Sequence, residues 1–405
     1  MTTSRSRRWF LGLGTAWSAA LVACRSKSAP PAAEPRALGV AVSPYGSRSR
    51  FERAARYVNT NTKVPLEEAV SRTPLHDTYG IITPSSLHFE RHHSGVPDID
   101  PATHTLTIHG LVDRPLVFTV DELKRLPSVS RIYFLECSGN GLTEWRGGEP
   151  DAQRIHGLTS CSEWTGVPVA LLLRECAVRA DATWMLAEGA DACKMTRSIP
   201  MTKALDDALV AYGQNGEPLR PEQGYPMRLL LPGWEGNANV KWLRRIKVMD
   251  QPAMSREETS KYTDLMPDGT ARQFTFIMEP KSLITRPSGG DRLAGAGMYE
   301  VTGLAWSGRG TIARVEITID GGATWTPAEL QAPVLPRAHT RFRWSWNWDG
   351  RDALIASRCT DDTGYTQPLL ADLIKVRGVN SMYHNNGIQM WKVAADGTIT
   401  NGNHA

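Results

Sequence analysis

Residues Arg131-Ile-Tyr-Phe-Leu-Glu-Cys-Ser-Gly-Asn-Gly-Leu-Thr-Glu-Trp-Arg146 constrain this chain more than any other stretch. Ile132 to Leu135 is an apolar run that reads as a short buried strand, and Ser138-Gly-Asn-Gly141 is rich in residues that tolerate positive φ. Cys137 is therefore expected where a strand opens into a tight loop, which presents one thiol on a rigid support. Three readings of that thiol stand: a buried structural cysteine, a nucleophile beside a histidine, or a soft-metal ligand bound as the thiolate. Zinc would want further ligands at C-x-x-C-like spacing, and none accompany it.

With 405 residues the chain is long enough for two or three domains. Its 41% hydrophobic and 22% charged residues exclude global disorder. A formal net charge of only +4, without a basic stripe, argues against nucleic-acid binding. The six cysteines, Cys24, Cys137, Cys161, Cys176, Cys193 and Cys359, contain no C-x-x-C and no C-x-x-C-H, so neither a disulfide framework nor a c-type haem site is encoded. If Cys24 is lipidated and Cys137 binds a metal, one or two disulfides among the other four stay open for an oxidising compartment.

Residues 1–24 read as a targeting segment. Ser6-Arg-Arg-Trp-Phe-Leu11 resembles a twin-arginine signal, and Leu21-Val-Ala-Cys24 resembles a lipobox. The expectation is periplasmic export in folded form, with anchoring through a lipidated Cys24. No other stretch is long and apolar enough to cross a bilayer. Residues 25–75 read as a flexible spacer and N-terminal extension.

From residue 76 to 268 strand and helix signals mix. Leu106–Leu111 and Leu116–Val120 alternate as an antiparallel hairpin, Thr119–Leu126 and Val169–Cys176 read as short helices, and Thr183–Asp191 as a strand entering a loop. Adjacent histidines on a strand point to opposite faces, so only one of His92 and His93 is expected at any one site. Beyond residue 269 short alternating strands end in Asp-Gly turns, the pattern of an immunoglobulin-like sandwich over 269–383. Trp306, Trp325, Trp344, Trp346, Trp348 and Trp391, all in the last hundred residues, suggest a β-rich C-terminal half with aromatic inner faces. Residues 384–405 read as a tail with little core.

Glu136-Cys-Ser-Gly-Asn-Gly141, Gly157-Leu-Thr-Ser-Cys-Ser-Glu-Trp-Thr-Gly166, Gly224-Tyr-Pro-Met-Arg-Leu-Leu-Leu-Pro-Gly233 and Val240-Lys-Trp-Leu-Arg244 together resemble the sulfite oxidase family of molybdenum enzymes, over a match from Leu87 to Tyr383. The resemblance implies an α+β chain: a mixed α/β molybdopterin domain followed by an all-β dimerisation domain. It also implies molybdenum held by one molybdopterin dithiolene and the Cys137 thiolate. Arg91 and Arg377 would then hold an anionic substrate, and Tyr262 would hydrogen-bond near the reacting oxygen. His93, Asp191, Arg228, Asn239 and Lys241 would contact the cofactor and its phosphate. Cytoplasmic insertion of that cofactor agrees with folded export.

The sulfite-specialised members carry an arginine where this chain has Leu142, and a tryptophan where ungapped alignment offers Arg154. The chain is in this respect similar to the sulfane dehydrogenase subunit of the periplasmic sulfur-oxidising (Sox) system, whose substrate is a sulfane sulfur on a protein cysteine. The resemblance thus implies oxidation of carrier-bound sulfane sulfur, or of free sulfite as the alternative, with electrons leaving to a c-type cytochrome because no haem site lies in this chain. A homodimer or a heterotetramer with the cytochrome is expected, and possible contact with a sulfur-carrier protein. A non-enzymatic alternative is an Ig-like binding or assembly module with a decayed molybdenum half.

Overall fold

Leu106 and Ile108 are fully buried on one face of the strand Thr105–Gly110, while Thr105, Thr107 and His109 are half-exposed, the two-residue alternation of a strand with one face on a core. This strand pairs antiparallel with Leu116–Thr119 and parallel with Leu243–Met249, and Trp184–Gly189 and Thr196–Pro200 complete a five-stranded mixed sheet. Thr119 starts the helix Val120–Arg125 through a capping box with Glu122. A second, antiparallel sheet contains Val129–Glu136, Thr159–Pro168, Leu209–Gln214 and Glu217–Pro218, with Arg228–Leu230 also paired to Leu209–Gln214. Leu106, Ile108, Val167, Leu172, Val210, Leu229 and Ile246 close one core between the two sheets and the helix Val169–Glu175. The strand expected over Ile132–Leu135 is longer because eight residue pairs match it to Thr159–Gly166.

Two further antiparallel sheets stack into a β-sandwich. One runs Lys281–Arg286, Gly297–Trp306, Thr340–Trp348, Glu329–Gln331; the other runs Thr326–Pro327, Ile312–Thr318, Ala353–Asp361, Met390–Val393, Ile399–Asn401. Trp306, Trp346, Trp348 and Trp391 are buried in their shared core, whereas Trp344 is half-buried at its side. The expected tail over 384–405 is corrected here. Met390–Val393 and Ile399–Asn401 are sandwich strands, and Trp391 is 0% exposed with its Nε1 donating to Ile284 O.

This computed structural model describes residues 39–59, 65–145 and 147–404; the twin-arginine stretch and Cys24 lie outside the described residues. Residues 53–405 form one compact unit and 1–52 another. In the latter, residues 39–52 are exposed, with Ser43 Oγ donating to Tyr45 O. The expected spacer ends earlier than residue 75, because Tyr57–Val58 and Val70–Arg72 already form a three-stranded sheet with Glu90–Arg91. Cys137, Cys161, Cys176, Cys193 and Cys359 are all free thiols, so the disulfides left open by the cysteine count are not formed among the described residues.

Candidate functional site

Cys137 sits immediately after the strand Val129–Glu136, as its sequence setting predicts. Its N donates to Leu158 O, and the loop turns back at once, with Asn140 N donating to Cys137 O at 2.9 Å. Asn140 pins the turn from both ends, donating through Nδ2 to Glu136 Oε1 and accepting from Leu158 N. Gly141 has φ of +86°, and a Cβ there would meet the His156 ring at 3.2 Å, so glycine is required. Glu136 itself is buried and held from the sandwich by Lys281 Nζ at 3.1 Å and Trp306 Nε1 at 2.7 Å.

A cleft opens over the thiol. It is lined by Arg91, His92, His93, Cys137, Asp191, Arg228, Asn239, Lys241 and Tyr262, joined by His88, Gln223, Asn237 and Trp242. All the sequence-derived candidates except Arg377 therefore converge.

Two cations in the cleft are unusual. Arg228 is buried and donates only to the carbonyls of Gln223 and Asn239, leaving its Nε without a partner. Lys241 Nζ donates to Arg91 O, Glu222 O and His92 Nδ1. Among the described residues neither has a carboxylate within ion-pair distance. Burial pushes Arg228 down to about 9, and burial together with the neighbouring Arg228 pushes Lys241 down to about 7. A buried arginine with a spare N–H beside a half-buried lysine, both with neutral acceptors only, is what a phosphate would satisfy.

His92 Nδ1 accepts from Lys241 and its Nε2 lies 2.8 Å from Glu90 Oε2, which sets the neutral Nε2–H tautomer. His93 Nε2 lies 2.7 Å from Tyr262 Oη. Burial, then the charges of Arg91 and Lys241, push His93 down to about 4, so it is a neutral imidazole. Both histidines line the cleft, contrary to the opposite-face expectation, because the strand Glu90–Arg91 ends before them and alternation no longer applies.

Asp191 is 4% exposed, accepts from Met195 N and from the Cys193 thiol, and so faces the cleft with both oxygens already engaged. The Asn239 side chain is likewise engaged, accepting from Leu231 N and donating to Glu235 O. Tyr262 adopts φ of +47°, a left-handed conformation uncommon for an aromatic residue.

Arg377 is corrected. It ends the helix Leu370–Arg377, is buried, and pairs with Asp264 Oδ2 at 3.2 Å outside the cleft lining. Asp264 Oδ1 meanwhile accepts from Ser381 Oγ and from the N–H groups of Met382 and Tyr383. Arg377 thus neutralises the carboxylate that fixes this segment beside Tyr262. Leu142 and Arg154 also lie outside the lining. Leu142 is 41% exposed, and Arg154 pairs with Asp151 and stacks over Tyr57 at 4.7 Å. Arg154 does not occupy the position Leu142 leaves uncharged.

Burial raises the Cys137 thiol, so a thiolate there needs a cation close by. Among the described residues no cluster of three or more His, Cys, Asp or Glu could enclose a metal ion. The protein offers one soft donor, and a metal fitting it must arrive with other ligands of its own. The donor set, the spare Arg228 Nε and the phosphate-ready cations all fit a molybdenum bound through a phosphorylated pterin.

A family model described as an oxidoreductase molybdopterin binding domain matches residues 93–257, and one described as a Mo-co oxidoreductase dimerisation domain matches 272–391. The chain is similar to the crystal structure of the sulfane dehydrogenase SoxCD from Paracoccus pantotrophus, with 46% identity and a TM-score of 0.88 over 90% of this chain and 95% of that one. It is 31% identical to a nitrate reductase [NADH] of Ulva prolifera over 75% of this chain and 40% of the relative, and 29% identical to mitochondrial sulfite oxidase of Rattus norvegicus over 77% and 62%. The chain thus spans less than two thirds of either of these two curated relatives.

Proposed function

Because this chain belongs to the sulfite oxidase family of molybdopterin oxidoreductases, we propose that it oxidises a sulfur substrate in the cleft over Cys137 and passes the electrons to a c-type cytochrome. The observation that carries the reading is the pairing, in one cleft, of a single soft thiol with a buried arginine and a half-buried lysine that have no carboxylate partner among the described residues. When bound, the molybdenum cofactor supplies two-electron oxygen-atom transfer to sulfur.

The chain's own residues do the rest. Cys137 holds the metal, Arg228 and Lys241 hold the phosphate, and Asp191, Asn239 and His93 line the pterin. Arg91, whose Nη1 spends one donor on Glu68 O, keeps further donors for an oxyanion. The Tyr262 hydroxyl is hydrogen-bonded to neutral His93 until a substrate or product oxygen offers a better partner. The substrate is a sulfane sulfur on a carrier protein; likeness to the SoxCD structure supports this. Free sulfite is the second reading, supported by the likeness to sulfite oxidase. These 405 residues contain no C-x-x-C-H, which supports an outside haem acceptor, in a homodimer or a heterotetramer with it. The Arg-Arg and Leu-Val-Ala-Cys24 patterns support folded export to the periplasm and a lipid anchor.

Steady-state assays of sulfite against a thiosulfate-loaded carrier protein, with cytochrome c as acceptor, test the reading. Turnover of the loaded carrier with only weak use of free sulfite is the expected result. Tight binding and fast turnover of free sulfite, with none of the carrier-bound substrate, would favour the second reading instead. Absence of molybdenum from the purified protein would remove the proposal as a whole.

A further inference from the structure

Arg197 is among the largest fully buried side chains, 1% exposed on the strand Thr196–Pro200, and the family resemblance assigns it nothing. Its Nη2 donates to Glu235 Oε1 at 3.0 Å, while Nε lies 3.7 Å from Glu258 Oε1, too far for a hydrogen bond. Nε and Nη1 are both buried without a hydrogen-bond partner. Unsatisfied N–H groups on a buried guanidinium call for an explanation. The Arg197 Cζ lies 5.3 Å from the centroid of the Tyr262 ring, within range of a desolvated cation–π contact. The hydroxyl of that phenol lies 2.7 Å from His93 Nε2, and the Tyr383 ring stands 5.3 Å away.

We propose that Arg197 is a positioning residue for Tyr262: its guanidinium holds the ring so that the hydroxyl meets His93 and the cleft. The inference rests on the role proposed above for Tyr262. Three features agree. Tyr262 is in a strained left-handed conformation, so its backbone alone does not dictate the ring position, and packing partners must. The carboxylates that fix Arg197 come from other elements: Glu235 from the loop after Leu231, Glu258 from the helix Arg256–Thr259 four residues before Tyr262. Glu235 is held down to about 2, chiefly by Arg197 against the opposing effect of burial, so the pair stays ionised and the cation stays in place.

The test is a double-mutant cycle in the holoenzyme, together with crystal structures of the variants. Arg197→Met removes the charge, and Arg197→Lys keeps the charge without the planar face. Turnover is measured with sulfite or the loaded carrier, whichever the wild type oxidises. Arg197→Met is expected to let the ring leave His93 and to lower kcat about a hundredfold, the effect of roughly 1 Å of misplacement, with KM changed far less. Arg197→Lys should recover part of that loss. In a Tyr262→Phe background neither substitution should lower kcat further, because the residue acts through the phenol. Losses that add fully to those of Tyr262→Phe, or a ring unmoved in Arg197→Met with kcat intact, would overturn the proposal. If Arg197→Met leaves Glu235 and Glu258 too poorly compensated to fold, Arg197→Lys carries both comparisons. Wild-type turnover by Tyr262→Phe would instead refute the role of Tyr262, and the ring position would still decide what Arg197 does.

Discussion

Two side chains in the cleft act by opposite routes. Burial raises the Cys137 thiol, and a bound metal reverses this, so Cys137→Ser is expected to leave a folded protein with lost turnover and reduced molybdenum content. Normal turnover at full metal content would contradict that role. Lys241 is the converse case, pushed by burial from 10.5 to about 7. Across that window the unfolded chain binds a proton that the folded chain does not, so stability rises as pH increases from about 7 to 10.5 and is independent of this group below it. The thermal midpoint of the cofactor-free protein should therefore climb from pH 7 to 10, and Lys241→Met should flatten the climb. Most of these residues are legible in the sequence because glycine and asparagine beside a cysteine or a base mark a place where backbone and charge converge. His92 is not singled out there, because the strand before it ends sooner than its pattern suggests. Arg377 escapes a sequence reading because its partner, Asp264, lies more than a hundred positions away.

Among the elements, local signals carry furthest. The helix read over Thr119–Leu126, which the structure starts at a Thr119 cap, and the Leu106/Ile108 alternation each involve only neighbouring residues, and both elements appear as expected. The last two strands are not foreseen, even though Trp391 and Val393 alternate ahead of an Asp396-Gly397 turn in which Gly397 adopts φ of +84°. A hairpin this short has no core of its own, and its value shows only when Trp391 packs beneath Lys281–Arg286. Trp391→Ala should destabilise the protein by about 3–5 kcal/mol in chemical denaturation, where a tail residue would change it little.

Across the whole molecule, neutral histidines are packed into the core. Burial pushes His88 and His339 down to about 3 and His93 to about 4, against an ordinary value of 6.5. Below 6.5 the unfolded chain takes up protons that these sites refuse, so stability falls as pH drops from 6.5 toward 4. Denaturant midpoints recorded across that range should fall steadily, and His339→Gln, which can still bond Thr159 Oγ1, should make the fall shallower. The mixed domain followed by a sandwich is legible from the change in strand and turn pattern. Where the sandwich ends is not, because that depends on pairing between distant strands.

The bond from Lys281 and Trp306 to Glu136 makes the two halves poor modules for recombination. A chain cut between them would strand a carboxylate one residue from the cysteine in an apolar interior, a loss of about 3–5 kcal/mol for breaking one buried pair. Swapping sandwiches between relatives should succeed only when the lysine and tryptophan travel with the graft. Inheritance would then act on the pair of halves as one unit, although each has its own sheets.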